Sequence, residues 1–199
     1  MSKWSRLAKI TFVPALWAAL MVAGTARGFA ACEVIDATSQ GTSTQLGRTI
    51  SIKVTICAYS TPEDRQVLKA AFLKGQSQGL ADALEKMKSV GRISLPGTVG
   101  YELAYIDSVP TDTGRIIRFV TNRRIAFGEA YNNSQSMAYS LTAGRIILND
   151  KDKNKSGGDL FPAAQLIVNK KGELQWDLRR NPWKLVNIID WQNGEKGDK

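Results

Sequence analysis

The sequence predicts an α+β fold: one N-terminal strand, a helical segment, then a curled, mainly antiparallel sheet of five to seven strands. Three observations carry this expectation. In TISIKVTIC, Ile50, Ile52, Val54 and Ile56 alternate with Ser51, Lys53, Thr55 and Cys57, which is the period of a half-buried strand. From Thr61 onward apolar residues recur at helical spacing instead. After Gly91 the period returns to two with short turns between the runs, and strands joined by short turns pair antiparallel.

Residues 31–46 are rich in Ser, Thr and Gly and read as a flexible lead-in to a single domain over residues 47–191. Thr61 is a good N-cap, Pro62 suits the first helical position, and Glu63 and Asp64 favour the positive helix end. Val67, Leu68, Ala71 and Phe72 form one apolar stripe, and Leu80, Ala83, Leu84 and Met87 a second. Gly75 and Gly79 weaken the helix between them, so the segment is two short helices or one kinked one. Short strands flank the Pro96-Gly97 turn. Ile117, Phe119, Ile125 and Phe127 then share a face opposite Arg118, Asn122 and Arg124. Met137, Tyr139 and Leu141 share another. Leu166 and Val168, a turn at residues 169–172, then Leu174, Trp176 and Leu178 read as a hairpin. NPWKLVNIIDW reads as a last strand, and residues 192–199 as a polar tail.

The N-terminus has the layout of a secretory signal peptide. Lys3, Arg6 and Lys9 precede an apolar run from Ile10 to Gly24, and small residues suit cleavage after Ala30. The run is shorter than the ~20 residues of a membrane-spanning helix, and Pro14 interrupts it. Four of the 27 basic residues lie in this segment, so the remainder carries 23 against 18 acids, or +5 rather than +9. A charge of this size supports solubility and does not call for a nucleic acid. The expected location is periplasmic or secreted, with no transmembrane helix in the mature chain. Cys32 and Cys57, an even pair in an oxidising compartment, predict a disulfide. FAAC at residues 29–32 offers an alternative, a lipobox in which Cys32 is lipidated, although Phe29 and Arg27 match it poorly.

STPEDRQVL, LPGTVGYELAYI, TGRIIRFVTNRRIAFGE and NPWKLVNI together resemble an uncharacterised family of bacterial secreted proteins with no assigned activity. The resemblance spans most of the chain after residue 30. It implies export and a single domain, and it transfers no site.

The sequence contains no histidine. Histidine-based triads, Cys-His pairs, His-zinc sites and a histidine general base are therefore excluded. No Walker loop or dinucleotide glycine fingerprint is present, so no catalytic residue is assigned. DKDKNKSGGD, residues 150–159, places Asp150, Asp152 and Asn154 at the alternate positions of a calcium loop. It lacks the glycine at position 6 and the glutamate at position 12, so it reads as a solvated turn with calcium the weak alternative. No other cofactor is implied. Arg115, Arg118, Arg123 and Arg124 include a candidate anion-binding pair, Arg118 and Arg124, set against a plain charged sheet face. Tryptophan stacks on sugars in some secreted proteins, but Trp176 alternates with leucines and reads as core; Trp183 and Trp191 are open on this point. Glu102, Asp107 and Glu129 are the carboxylates from which a glycosidase pair would come. The expectation is an exported, non-enzymatic binding or interaction protein for a small ligand or an envelope protein. The alternatives are a lipid-anchored envelope protein with a structural role and a small histidine-free enzyme.

Overall fold

The computed structural model describes residues 32–123, 141–168, 170, 174–178 and 181–191. The expected signal peptide, Arg124, Ile125, Phe127, Glu129, Met137, Tyr139 and the tail from residue 192 lie outside the described residues, as does the side chain of Trp176.

The α+β expectation, with five to seven strands after the helix, is corrected: the described residues are β-rich, with ten strands and one α-helix. The strands are β1 (Glu33–Gln40), β2 (Thr49–Ile56), β3 (Gly91–Ser94), β4 (Tyr101–Leu103), β5 (Tyr105–Thr111), β6 (Gly114–Thr121), β7 (Leu141–Asn149), β8 (Gly157–Val168), β9 (Leu174–Leu178) and β10 (Trp183–Asp190); the helix α1 spans Pro62–Lys86. Nine strands follow one another in the order β4-β3-β2-β1-β10-β8-β7-β6-β5, and β9 pairs with β8 alone. Every pairing is antiparallel.

The edge strands β4 and β5 are separated in sequence by Ala104 alone, so the sheet curls round into a near-closed barrel. The segment after β2 covers the seam. Ser60 N–H donates to the Ile106 carbonyl at 2.7 Å, and Ile106 N–H donates to Ser60 Oγ at 3.0 Å. Edge groups of β5 thus find partners without a neighbouring strand.

The lead-in is also corrected, because residues 33–40 form β1, bonded on both sides by β2 and β10. The inward row of β1 is Glu33, Ile35, Ala37 and Ser39, all buried. Two polar members dilute the alternation that marks a strand. The expected last strand, β10, is central for the same topological reason: it joins β1 to β8.

The barrel interior is filled by one cluster that includes Ile35, Val54, Ile93, Leu103, Ile106, Ile117, Phe119, Ile146, Leu160 and Trp183. Its members come from nine of the ten strands. Trp183 is 3 % exposed and belongs to this core.

The helix starts at the expected N-cap, Thr61, which forms a reciprocal capping box with Asp64. Asp64 N–H donates to Thr61 Oγ1 at 3.2 Å, and Thr61 N–H donates to Asp64 Oδ2 at 2.8 Å. It is kinked as expected, with non-helical backbone at Gly75 and Gln76, where Gln76 has φ 51°. Each half buries part of its expected stripe in a second cluster, while Val67 stays exposed. Leu68 and Phe72, then Leu80, Ala81 and Leu84, pack on Ala104 and Leu141. Ser77, just past the kink, accepts Leu166 N–H on its hydroxyl at 3.3 Å. Among the described residues no helix is long and apolar enough to cross a membrane.

Cys32 and Cys57 are joined in a disulfide. They sit one position beyond the last β1–β2 pair, Glu33 with Ile56, so the bond continues a register the ladder already sets. Its presence is compatible with an oxidising compartment, and a sulfur so engaged is not free for a thioether to lipid. Replacing both cysteines by serine is expected to lower stability by about 3 kcal/mol, the loop-closure value for a span of this length. Urea unfolding of the two proteins measures it, and a loss below about 1 kcal/mol would contradict the expectation.

Candidate functional site

Two groups of charged side chains stand out, one inside the barrel mouth and one on the outer face. The first forms where the inward rows of β1, β6 and β10 end. The Arg115 guanidinium donates to both Glu33 carboxylate oxygens, to Asp190 Oδ2 at 3.0 Å and to the Tyr59 hydroxyl at 3.1 Å. Tyr59 in turn donates to Glu33 Oε2 at 2.8 Å. Glu33 and Asp190 side chains are 6 % and 8 % exposed. The group satisfies itself and seals that end of the barrel.

Burial, then the hydrogen bond to Glu33 and that residue's negative charge, push the Tyr59 hydroxyl up to about 12, with Arg115 pulling the other way. The folded state therefore holds a proton that the unfolded phenol releases near pH 10. Stability from this contact is full below about pH 10 and is lost as pH rises through the folded value. The tyrosinate absorbance titration is expected to show a late component that Tyr59→Phe removes. Identical titrations for the two proteins would refute this.

The second group is a row of charges across the outer face of five strands. Strand register aligns Asp107 of β5 with Arg118 of β6, Arg118 with Arg145 of β7, Arg145 with Asp159 of β8, and Asp159 with Lys184 of β10. The two acids are buried under their partners. Arg118 grips Asp107 with two bonds, Nε to Oδ1 at 2.8 Å and Nη2 to Oδ2 at 2.6 Å. Arg65, from the first turn of α1, adds a bond to Asp107 at 3.1 Å and donates to the Tyr105 hydroxyl at 3.0 Å. Asp159 accepts from Arg145 at 2.8 Å and from Lys184. Burial opposes its charged form, but hydrogen bonds from Lys184 and Arg145, and their charges, prevail and hold its carboxyl below the usual range.

A groove of about 630 Å³ opens between this row and the helix. Arg65, Arg118 and Arg145 rim it, and Val120, Ala143 and Phe161 lie among its lining residues. Arg118 and Arg145 face each other directly from adjacent strands, and like charges so placed repel. Their side chains are each 53 % exposed. Both guanidinium groups spend Nε and Nη2 on an aspartate, and neither Nη1 has a partner among the described residues. The row and Arg65 sum to four cations and two acids. Such an arrangement is suited to an anion: its donors are oriented by the buried acids, N–H groups without a partner among the described residues remain, and a negative charge between the arginines would relieve their repulsion.

The structure thus keeps one of the two residues of the expected anion pair. Arg118 is in the groove, whereas Arg124 lies outside the described residues. Arg115 lies on the inward side, in the barrel mouth. Arg65 and Arg145 escape sequence reading because register and helix packing, not spacing, bring them to Arg118.

Of the remaining candidates, Glu102 sits exposed beside Arg92 at 3.8 Å, and Asp107 is held by arginines, so neither forms a carboxylate pair with the other. The DKDKNKSGGD segment connects β7 to β8. Its side chains serve the backbone: Asp152 Oδ1 accepts Asn154 N–H at 3.1 Å, and Asn149 Oδ1 accepts the N–H groups of Lys151 and Asp152. Lys155 lies 3.4 Å from Asp152. Among the described residues no group of three or more acidic or cysteine side chains is placed to hold a metal ion.

The fold and this groove define the chain as a disulfide-bonded, helix-covered antiparallel barrel with a basic outer-face site. No family model matches it, and comparisons with curated proteins and with solved structures find no significant match.

Proposed function

We propose that the protein is an exported binding module, without catalytic activity of its own, that takes an anionic ligand into the groove between Arg118 and Arg145. The carrying observation is the direct opposition of these two half-exposed arginines, each oriented by a buried aspartate. The filled barrel interior favours an outer-face site over carriage inside the sheet. The ligand class is a carboxylate or phosphate, with the apolar floor of Val120 and Phe161 accepting the body that carries it. Export is supported by the layout of the first thirty residues and by the disulfide.

Calorimetric titration of residues 31–199 with inorganic phosphate and with citrate, at low ionic strength, tests this. Saturable binding that weakens with added salt is expected. Arg145→Gln is expected to weaken it by about tenfold, the equivalent of 1.4 kcal/mol, while Asp159 keeps Lys184. Absence of saturable binding by either anion at about 10 mM, weaker than any affinity such a clamp would give, would overturn the reading.

A further inference from the structure

A second groove, of about 550 Å³, lies on the outer face of β10, β1 and β2, away from the arginines. Register places Ile189 of β10, Asp36 of β1 and Lys53 of β2 in one row, with Thr38 and Ser51 in the row beside it. The charges cancel, since Asp36 and Lys53 lie 3.9 Å apart. At the end of the β10 face stands Trp191, 54 % exposed, with its indole N–H donating to Asp36 Oδ2 at 2.8 Å. The strand is shaped here as well. The β1–β10 register shifts between Asp36 and Thr38, and Asn187, which lines the groove, has φ 50°. Such bulges re-aim side chains and recur beside functional sites.

We infer that this groove binds a neutral carbohydrate. A sugar presents adjacent hydroxyls, each both donor and acceptor, and a ring face of C–H groups. The groove answers with a carboxylate, an ammonium, three hydroxyls and an amide, none requiring a charged ligand, and its Asp36 holds the indole of Trp191 alongside. The hydrogen bond to Asp36 fixes the indole, so less freedom is lost when a sugar stacks on it. The site is separate from the arginine groove, so either is testable without the other.

The test is an NMR titration of ¹⁵N-labelled residues 31–199 with three neutral probes, maltotriose, cellotriose and N-acetylchitotriose. The Trp191 indole N–H resonance is identified by its absence from Trp191→Phe. We expect it to shift saturably with at least one probe, with a Kd of about 1 mM or tighter. Trp191→Ala is expected to abolish the binding and Asp36→Asn to weaken it several-fold. Trp191→Phe, which keeps a ring, is expected to retain part of it and serves where the alanine variant does not fold. No saturable shift with any probe, or binding unchanged in both tryptophan variants, would overturn the inference.

Discussion

Replacing Arg115 by alanine is expected to cost about 3–5 kcal/mol, the range for removing one partner of a buried ion pair. The guanidinium is shared by Glu33 and Asp190, both almost wholly buried. Without it two carboxylates remain at the barrel mouth in a medium that disfavours their charge. Arg115→Lys keeps the charge but loses the forked geometry and is expected to fall between the native protein and the alanine variant. Urea unfolding of the three proteins measures the effect. A loss below about 1 kcal/mol for the alanine variant would show that the mouth carries no such dependence on Arg115.

Phe119→Ala is expected to lose a comparable amount, about 3–5 kcal/mol. The ring is 1 % exposed and lies against Gly144 on the neighbouring strand. A Cβ at Gly144 would stand 2.3 Å from the Phe119 ring, so the glycine is what admits the aromatic to the interior. Gly144→Ala is expected to destabilise by overpacking, about 1–3 kcal/mol. The two substitutions relieve each other, since the truncated ring leaves room for the added methyl. The double variant is expected to be more stable than the two separate losses imply. Strict additivity in this cycle would refute the proposed contact.

The charged row offers a milder comparison. Arg118 is half exposed and Asp107 retains Arg65 when it is removed, so its loss is cushioned in a way that Arg115's is not. The groove arginines are therefore suited to functional tests, and the mouth arginine to stability tests.

Local pattern made much of this chain legible. The β2 alternation, the Thr61 N-cap, the break at Gly75, the β8–β9 hairpin and the Cys32–Cys57 pairing all rest on interactions between residues close in sequence or on a simple count. The strand in residues 33–40 was not legible, because Glu33 and Ser39 are polar residues that face inward, and Glu33 is tolerable there only once Arg115, 82 residues away, arrives. The same limit applies to the number of strands. Closure depends on where β5 is carried by the curl of the whole sheet.

The candidate site divides along the same line. Arg118 was visible as an outward-facing cation on a strand, a property of alternation alone. Its opposition to Arg145 and its bridge to Arg65 through Asp107 were not, because cross-strand register and helix docking are set by how the buried rows fit together. Periodicity assigns a side chain to a face; only the packed sheet assigns its neighbours, and it is the neighbours that turn a charge into a binding group.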